Sequence, residues 1–472
     1  FKQKTAYEIG VRLVGSEMCI RDSMNIAYEN SIKKLMSLGN FENSSNVQKS
    51  TKFDLSKISK LLDYCNNPQQ YQKFIHVAGT NGKGSTSALI SKSLIGSGLK
   101  VGFFSSPSIH KITERIQIDN RSIPERDFAN ELNNIWPIIL KMSKEENIQI
   151  SFFEAINAMA LNYFKKKRVD ISVIEVGIGG RLDSTNIITP QVSVITEISM
   201  DHMNVLGNNI QKITLEKAGI IKKNIPVIIS KQIDNVEKIL VKYAQNIGAP
   251  LHKTSELVTV SKIQNMGING SKILFNTTHG KINVDYPLLG EHQIINLSTA
   301  LATLVKFSEI NTKFNLKSIN ESISKVNWPG RFQVLKKSPY LIITDGAHNE
   351  NAAKALVKTI NYTGINKKNI VIIFGAGYGH DPKIVMKVLI HLNPRIILTR
   401  SRHPKSIPVD QLKKILKKYQ KNIIGDFNDT ENSISYAEKI RRRNEVILST
   451  GSLFIAAETI ETIKKVEKEF YN

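Results

Sequence analysis

The sequence predicts an α/β fold in two parts, a P-loop-type domain on a mostly parallel sheet and a smaller Rossmann-like α/β domain after it. Three observations predict this. Short apolar runs alternate with stretches long enough for helices, the pattern of a parallel sheet covered on both faces. The first of these runs enters a glycine-rich loop whose lysine opens a helix. Further on, Trp328-Pro329-Gly330-Arg331 breaks both periods, and a second strand–helix series follows it.

Taken in order, the chain from Met24 reads as helix and loop, then a strand at Phe74–Ala78 running into Gly79-Thr80-Asn81-Gly82-Lys83-Gly84-Ser85-Thr86. A helix is expected from Ser87 to Ser97, closed by Gly98. Buried-type strands follow at Val101–Phe104, Ile171–Ile174, Val192–Ile198 and Pro226–Ser230, with helices around Phe153–Phe164 and Ile210–Lys222. From about Leu251 to Asp285, short alternating segments with Gly and Asn turns predict an antiparallel insertion or edge. A helix from Gln293 to Phe307 closes the first domain. The second series has strands at Leu341–Thr344, Ile370–Phe374, Arg395–Leu398 and Glu445–Ser449. The expected domains are therefore 24–326 and 327–472. Phe1–Ser23 has no signal-peptide apolar region and resembles translated sequencing-adapter read-through, so it is expected to be non-native, with Met24 the native start; a genuine N-terminal extension is the alternative.

Composition narrows the function classes. Hydrophobic residues at 41% and charged residues at 22% belong to a globular chain, and no apolar run approaches the ~18–20 residues that span a bilayer. No membrane partner is expected. Two cysteines, Cys19 and Cys65, cannot build a disulfide framework or a four-cysteine zinc site, so a reduced, cytoplasmic protein is expected. The 65 basic and 41 acidic side chains give a formal net charge of +24. Most of it reads as lysine-rich composition, and the rest as a field that steers anionic ligands. A nucleic-acid binder would cluster its basic residues among stacking aromatics. Aromatics are only 7% and show no such pattern, so no nucleic-acid partner is expected.

Chemistry concentrates at strand ends. In Gly79–Ser85 the glycines let successive backbone N–H groups face one point, to which the following helix also offers its N-terminus. Lys83 adds a full charge, and Ser85 or Thr86 can give a hydroxyl to Mg2+. The loop departs from the common phosphate-loop pattern in having Val77 at the first glycine position and Gly84 between lysine and hydroxyl. A plain glycine turn is the alternative, disfavoured because strand, loop, lysine and helix come in the required order. Ser106, Glu175 and His202 each follow a predicted strand, where open α/β sheets place ligands, and together could hold a hard cation. Singly they read as a Ser-Pro turn, an ion-pair partner and a helix cap. Arg331 at the hinge is a candidate phosphate clamp or a solvated arginine. Asp345 could accept from ribose hydroxyls and His348 could reach a phosphate or base, the alternative being an Asp-Gly turn. Gly375-Ala376-Gly377-Tyr378-Gly379 imitates a dinucleotide fingerprint with the wrong spacing. Lys217 reads from composition as a surface helix lysine.

In combination these motifs resemble the folylpolyglutamate synthases, including the bifunctional dihydrofolate synthases, within the Mur ligase superfamily. Gly79–Ser85, Ser105-Ser106-Pro107, Glu175–Asn186, Asp201-His202, Glu216–Ile220, Trp328–Arg331, Asp345–Asn349 and Gly451-Ser452-Leu453 carry the resemblance, which covers nearly everything after Met24. It implies ATP-dependent amide formation between L-glutamate and dihydropteroate or reduced folates, with a monomer expected from the resemblance alone. It implies that Lys83 and its loop hold ATP, with Asn296, Arg331 and Asp345 as further nucleotide contacts. Ser106, Glu175 and His202 match Mg2+ ligands, and Lys217 matches a lysine that the superfamily carbamylates. Phe153, Glu154, Leu182, Asp183 and Ser184 lie in segments implicated in pteroate binding. Lys83, Lys217, His202 and Arg331 are thereby the expected catalytic set. Ser108 stands where the family usually has His, which questions any role of that side chain here, though His110 is near. A peptidoglycan-type Mur ligase is the competing reading, but Met24–Phe74 is too short for a UDP-sugar domain. A basic nucleotide- or nucleic-acid-binding P-loop module is the other.

Overall fold

Eight strands form the larger sheet: β1 Phe74–Ala78, β2 Val101–Phe104, β3 Ile116–Ile118, β4 Arg121–Ser122, β5 Ile171–Glu175, β6 Val192–Ile195, β7 Val227–Ile229 and β8 Leu251–Lys253. Their order is β4-β3-β2-β5-β1-β6-β7-β8. The structure is a computed structural model that describes residues 26–39, 54–200, 207, 209–312, 314–366 and 369–469. Phe1–Ser23 and the pair Asp201-His202 lie outside the described residues. From β2 to β8 every pairing is parallel, and β3 and β4 add an antiparallel edge. β1 lies between β5 and β6, and all five of its residues are buried. Its apolar run therefore lacks alternation because both faces are covered.

One face packs against helices Lys83–Gly96 and Glu291–Ile310, which share a core with a three-stranded antiparallel sheet. That sheet, ordered β11-β10-β9, comprises β9 Val258–Asn265, β10 Ser271–Thr277 and β11 Gly280–Tyr286. In β10, Ile273 and Phe275 face the core while Lys272 and Asn276 face out, the period-two pattern of a half-buried strand. The other face is covered by helices Leu55–Tyr64, Glu125–Glu145 and Phe152–Lys167. Each fully buried Leu, Ile or Phe in these layers contributes roughly 1.5–3 kcal/mol relative to exposure.

The second sheet has order β12-β13-β17-β14-β15-β16, with β12 Gln333–Lys336, β13 Ile342–Thr344, β14 Ile370–Phe374, β15 Arg395–Leu398, β16 Ile423–Asp426 and β17 Val446–Thr450. It is parallel except for β12. Helices Glu350–Tyr362 and Pro382–Leu389 cover one face, and Thr430–Ile440 and Leu453–Lys464 the other. Among the described residues, no helix is long and apolar enough to cross a membrane.

The predicted α/β class matches this architecture, with corrections at element ends. β6 stops at Ile195 rather than Ile198, because the Glu197 carbonyl accepts from the Thr80 and Asn81 amides and the Ile198 amide donates to Gln232 Oε1. The first long helix starts at Lys83 rather than Ser87, directly after Gly82 at φ +83°. The helix expected to reach Lys222 ends at Ala218. Helix Glu125–Glu145 was not expected, since Pro137 interrupts its pattern. Strands β3, β4, β12 and β16 were not expected either; all border edges and lack long apolar runs.

Candidate active site

The glycine-rich loop is clamped from behind. Thr80 and Asn81 donate their amides to the Glu197 carbonyl at 2.8 and 3.2 Å. The Thr80 hydroxyl donates to Ser199 O and accepts from Ser199 N, both at 3.1 Å. A Cβ at Gly79 would collide with Thr196, and one at Gly82 would collide with Asn296 Oδ1. Asn296, predicted from resemblance alone, therefore sits against the loop, its amide donating to Gln293 Oε1 at 3.1 Å. Lys83 opens the helix, whose first-turn amides have no intrahelical acceptors and whose dipole favours an anion. Ser85 and Thr86 are buried, and Thr86 Oγ1 has no hydrogen-bond partner among the described residues. Lys217 is a correction to its surface reading: it is 3% exposed, and its Nζ donates to the Gly79 carbonyl at 2.7 Å.

Glu175 ends β5, next to the loop. It is 4% exposed, and Oε2 accepts from the Ser106 amide at 3.3 Å. A Cβ at Gly84 would lie 3.5 Å from both Glu175 oxygens and 3.0 Å from Trp328 Cζ2, so the loop, the carboxylate and the hinge indole meet there. Burial pushes the Glu175 carboxyl up to about 7, although Lys83, the Ser106 amide, Arg331 and Arg115 all favour its charged form. Arg331 thus reaches from the second part of the chain into the field of the first. Beside it, buried Asp345 accepts from the Phe332 amide at 2.8 Å and the Ala347 amide at 2.9 Å. His348 Nδ1 lies 2.8 Å from the Gly346 carbonyl, so that nitrogen carries the proton. Asp345 and His348 thereby shape the turn that presents Arg331.

A second group gathers around Gly177, two residues after Glu175. Phe153 packs its ring 2.6 Å from where a Gly177 Cβ would stand. Asn157 Nδ2 donates to the Ser184 carbonyl at 2.9 Å, joining the Phe152–Lys167 helix to Leu182-Asp183-Ser184. Asp183 is saturated with donors: Oδ1 accepts from the Thr185 amide at 3.0 Å and hydroxyl at 2.6 Å, and Oδ2 accepts from the Ile178 amide at 3.0 Å. Glu154 caps its own helix, Oε2 accepting from the Ser151 amide at 2.7 Å and hydroxyl at 2.6 Å. Burial raises the carboxyls of both Asp183 and Glu154 above the ordinary range. Phe153, Leu182, Asp183 and Ser184 are therefore brought together, and Glu154 lies one residue along the same helix.

Of the residues around the site, Arg115, Arg402 and Glu461 escaped the sequence reading, and His110 entered it only as a neighbour of Ser108. Buried Arg115 donates from Nε to Ser108 Oγ at 3.3 Å and stands 5.2 Å from the Phe152 ring. His110 Nδ1 pairs with Glu461 Oε1 at 3.0 Å, and Arg402 pairs with Glu461 Oε2 at 2.7 Å, linking the Ser106 loop to the last helix. Such pairs are 351 and 59 residues apart in sequence, so no local signal could announce them. The Gly375–Gly379 segment is tied instead to Ser406 through a Gly377 bridge.

The described residues contain no group of three His, Cys, Asp or Glu side chains able to hold a metal. The available donors are one carboxylate, Glu175, and the hydroxyls of Ser106, Ser85 and Thr86. One hard carboxylate with hydroxyl oxygens suits Mg2+ bound together with substrate phosphates rather than a closed protein cage.

The Mur ligase middle domain matches residues 77–304, and the Mur ligase glutamate ligase domain matches residues 330–453. The chain is similar to the folylpolyglutamate synthase of Lacticaseibacillus casei, with 35% identity over 311 residues, covering 65% of this chain and 72% of the relative. It is 29% identical over 416 residues to the dihydrofolate synthase/folylpolyglutamate synthase of Bacillus subtilis, covering 87% of this chain and 95% of that one. The fold superimposes on the Mycobacterium tuberculosis folylpolyglutamate synthase complexed with ADP and AMPPCP, with a TM-score of 0.81 and 26% identity. That match covers 88% of this chain and 96% of the other.

Proposed function

Because the chain belongs to the folylpolyglutamate and dihydrofolate synthase family of Mur ligases, we propose that its site joins L-glutamate to dihydropteroate, to the glutamyl tail of a reduced folate, or to both. The protein is an ATP-dependent ligase. The observation that carries the site assignment is the convergence on Glu175, at the end of β5, of Lys83 from the helix after the glycine-rich loop and Arg331 from the segment before the second sheet.

A carboxylate and an amine do not condense unaided, so the acceptor carboxylate first takes the γ-phosphoryl group of ATP and becomes an acyl phosphate. That transfer needs charge neutralisation rather than a protein nucleophile. The Gly79–Ser85 loop, Asn296 and Thr86 hold the nucleotide, Lys83 and Arg331 face its phosphates, and Asp345 and His348 set the Arg331 turn. Glu175 and Ser106, with His202, would hold Mg2+, which supplies further positive charge to the phosphates. The unprotonated amine of glutamate then attacks the acyl carbon, and phosphate leaves with the former carboxylate oxygen. Phe153, Glu154, Leu182, Asp183 and Ser184 shape the acceptor side, Asp183 by organising its loop. Lys217 becomes carbamylated in this reading. The modification would replace a buried cation by an anionic group beside the Gly79 carbonyl.

We assign 24–326 to the ATP-binding domain and 327–472 to the second domain, and expect a cytoplasmic monomer. An acceptor panel tests the function. The protein is incubated with ATP, Mg2+ and L-glutamate, with dihydropteroate, tetrahydrofolate or a UDP-muramoyl substrate in turn, and products are weighed. A glutamate-sized gain on both pterins identifies the bifunctional enzyme, and a gain on tetrahydrofolate alone restricts it to polyglutamylation. A gain only on the UDP-muramoyl substrate overturns the assignment.

A further inference from the structure

His76 is a fully buried titratable residue on β1 to which the ligation chemistry gives no part. Its Nε2 lies 2.9 Å from Thr185 Oγ1, which in turn lies 2.6 Å from Asp183 Oδ1. The direction of these bonds follows from proton counting. Asp183 Oδ1 also accepts from the Thr185 amide at 3.0 Å, so it faces donors from both groups of that residue. The single hydroxyl proton of Thr185 goes to the carboxylate, which leaves the hydroxyl oxygen to accept. His76 Nε2 must therefore carry a proton and donate. Nδ1, which has no hydrogen-bond partner among the described residues, carries the lone pair of a neutral ring. The other Asp183 oxygen accepts from the Ile178 amide at 3.0 Å, inside the glycine-rich turn that follows Glu175. A chain of three directed bonds thus runs from the centre of the sheet to this turn.

We infer that His76 is a positioning residue for the acceptor side of the site: through the Thr185 hydroxyl it orients Asp183, and through Asp183 the turn at Gly177-Ile178. This rests on the reading that the turn borders the acceptor. Asp183 can accept these amides without His76, but its rotamer is then set by a hydroxyl free to rotate. The imidazole N–H removes that freedom, because it occupies the lone pair opposite the proton.

The test compares His76→Leu and Thr185→Val, which break the chain, with His76→Gln and Thr185→Ser, which keep a donor and a hydroxyl in place. Steady-state KM is measured for tetrahydrofolate and for ATP, together with hydrogen exchange of the peptide spanning 176–186. Losing one buried hydrogen bond should raise KM for the pterin about five- to tenfold. KM for ATP should stay within about twofold and exchange in the peptide should accelerate, while the two conservative variants stay near wild type. If His76→Leu does not fold, Thr185→Val carries the same comparison. Unchanged pterin KM in the broken variants overturns the inference, as does a parallel rise in both KM values. Asp183→Ala separates the two readings. If it raises pterin KM while the broken variants do not, only the His76 role fails; if it leaves pterin KM unchanged, the placement of the acceptor fails.

Discussion

Replacing Gly82 by alanine puts one methyl group at a crowded point of the glycine-rich loop. Gly82 has φ +83° and ψ −2°, a left-handed conformation that costs an L-residue about 1–2 kcal/mol. The new Cβ would also collide with Asn296 Oδ1 and lie 3.0 Å from its Cγ. Asn296 must therefore swing away and give up its 3.1 Å bond to Gln293, worth about 1 kcal/mol. The total is about 2–3 kcal/mol, and it can be felt in two places. A loop that keeps its shape without nucleotide carries the whole penalty as lost folding stability. A loop that relaxes when empty transfers the penalty to nucleotide binding, where it weakens affinity about 30- to 150-fold. Urea unfolding and Mg·ATP calorimetry on the same variant read both shares, which should sum to the total. Gly98→Ala is the control, because Gly98 has φ +85° but no described residue within 4 Å of where its Cβ would stand. It should lose stability without losing ATP affinity. If Gly82→Ala matches wild type in both assays, the loop does not use this geometry and the reasoning fails.

Lys217→Ala should lower turnover strongly, with partial recovery on adding short carboxylates if a carbamate is the active form. Wild-type turnover in the variant without additive would remove Lys217 from the mechanism. Glu175→Gln keeps size but loses charge, so a Mg2+ titration of turnover should show weakened Mg2+ dependence; an unchanged titration would take Glu175 out of the metal set. His76 supplies a pH prediction. Burial, with nearby Lys222 adding to it, pushes its imidazole down to about 3, against about 6.5 in the unfolded chain. The unfolded state therefore binds the extra proton, and the stability held above pH 6.5 falls as pH drops toward 3. Between pH 7 and pH 5, wild type should lose about 2 kcal/mol relative to His76→Gln, read as the difference between their urea unfolding free energies. A difference that does not change with pH would contradict a buried neutral ring.

The central strands of both sheets were legible in the chain because they are short, apolar and buried on both faces. Phe74–Ala78, Val101–Phe104, Ile370–Phe374 and Arg395–Leu398 were placed to the residue. The edges were not. Gln333–Lys336 and Ile423–Asp426 are only partly buried, so their composition carries no strong strand signal. Local chemistry also marked the glycine-rich loop proposed to hold phosphate, since a glycine at +83° and a lysine at a helix start are encoded side by side.

What the sequence by itself determined was the order of elements and the identity of the reactive groups, because backbone conformation and burial pattern are short-range properties. Only the tertiary structure decided what those groups do to one another. It turned Lys217 from a surface residue into a buried donor to Gly79, and filled the lone pairs of Asp183 with neighbouring amides and a hydroxyl. It also brought Arg331 into the field of Glu175. The physical reason is that desolvation and Coulomb interactions depend on distance through space, and the parallel crossover brings together residues more than a hundred positions apart.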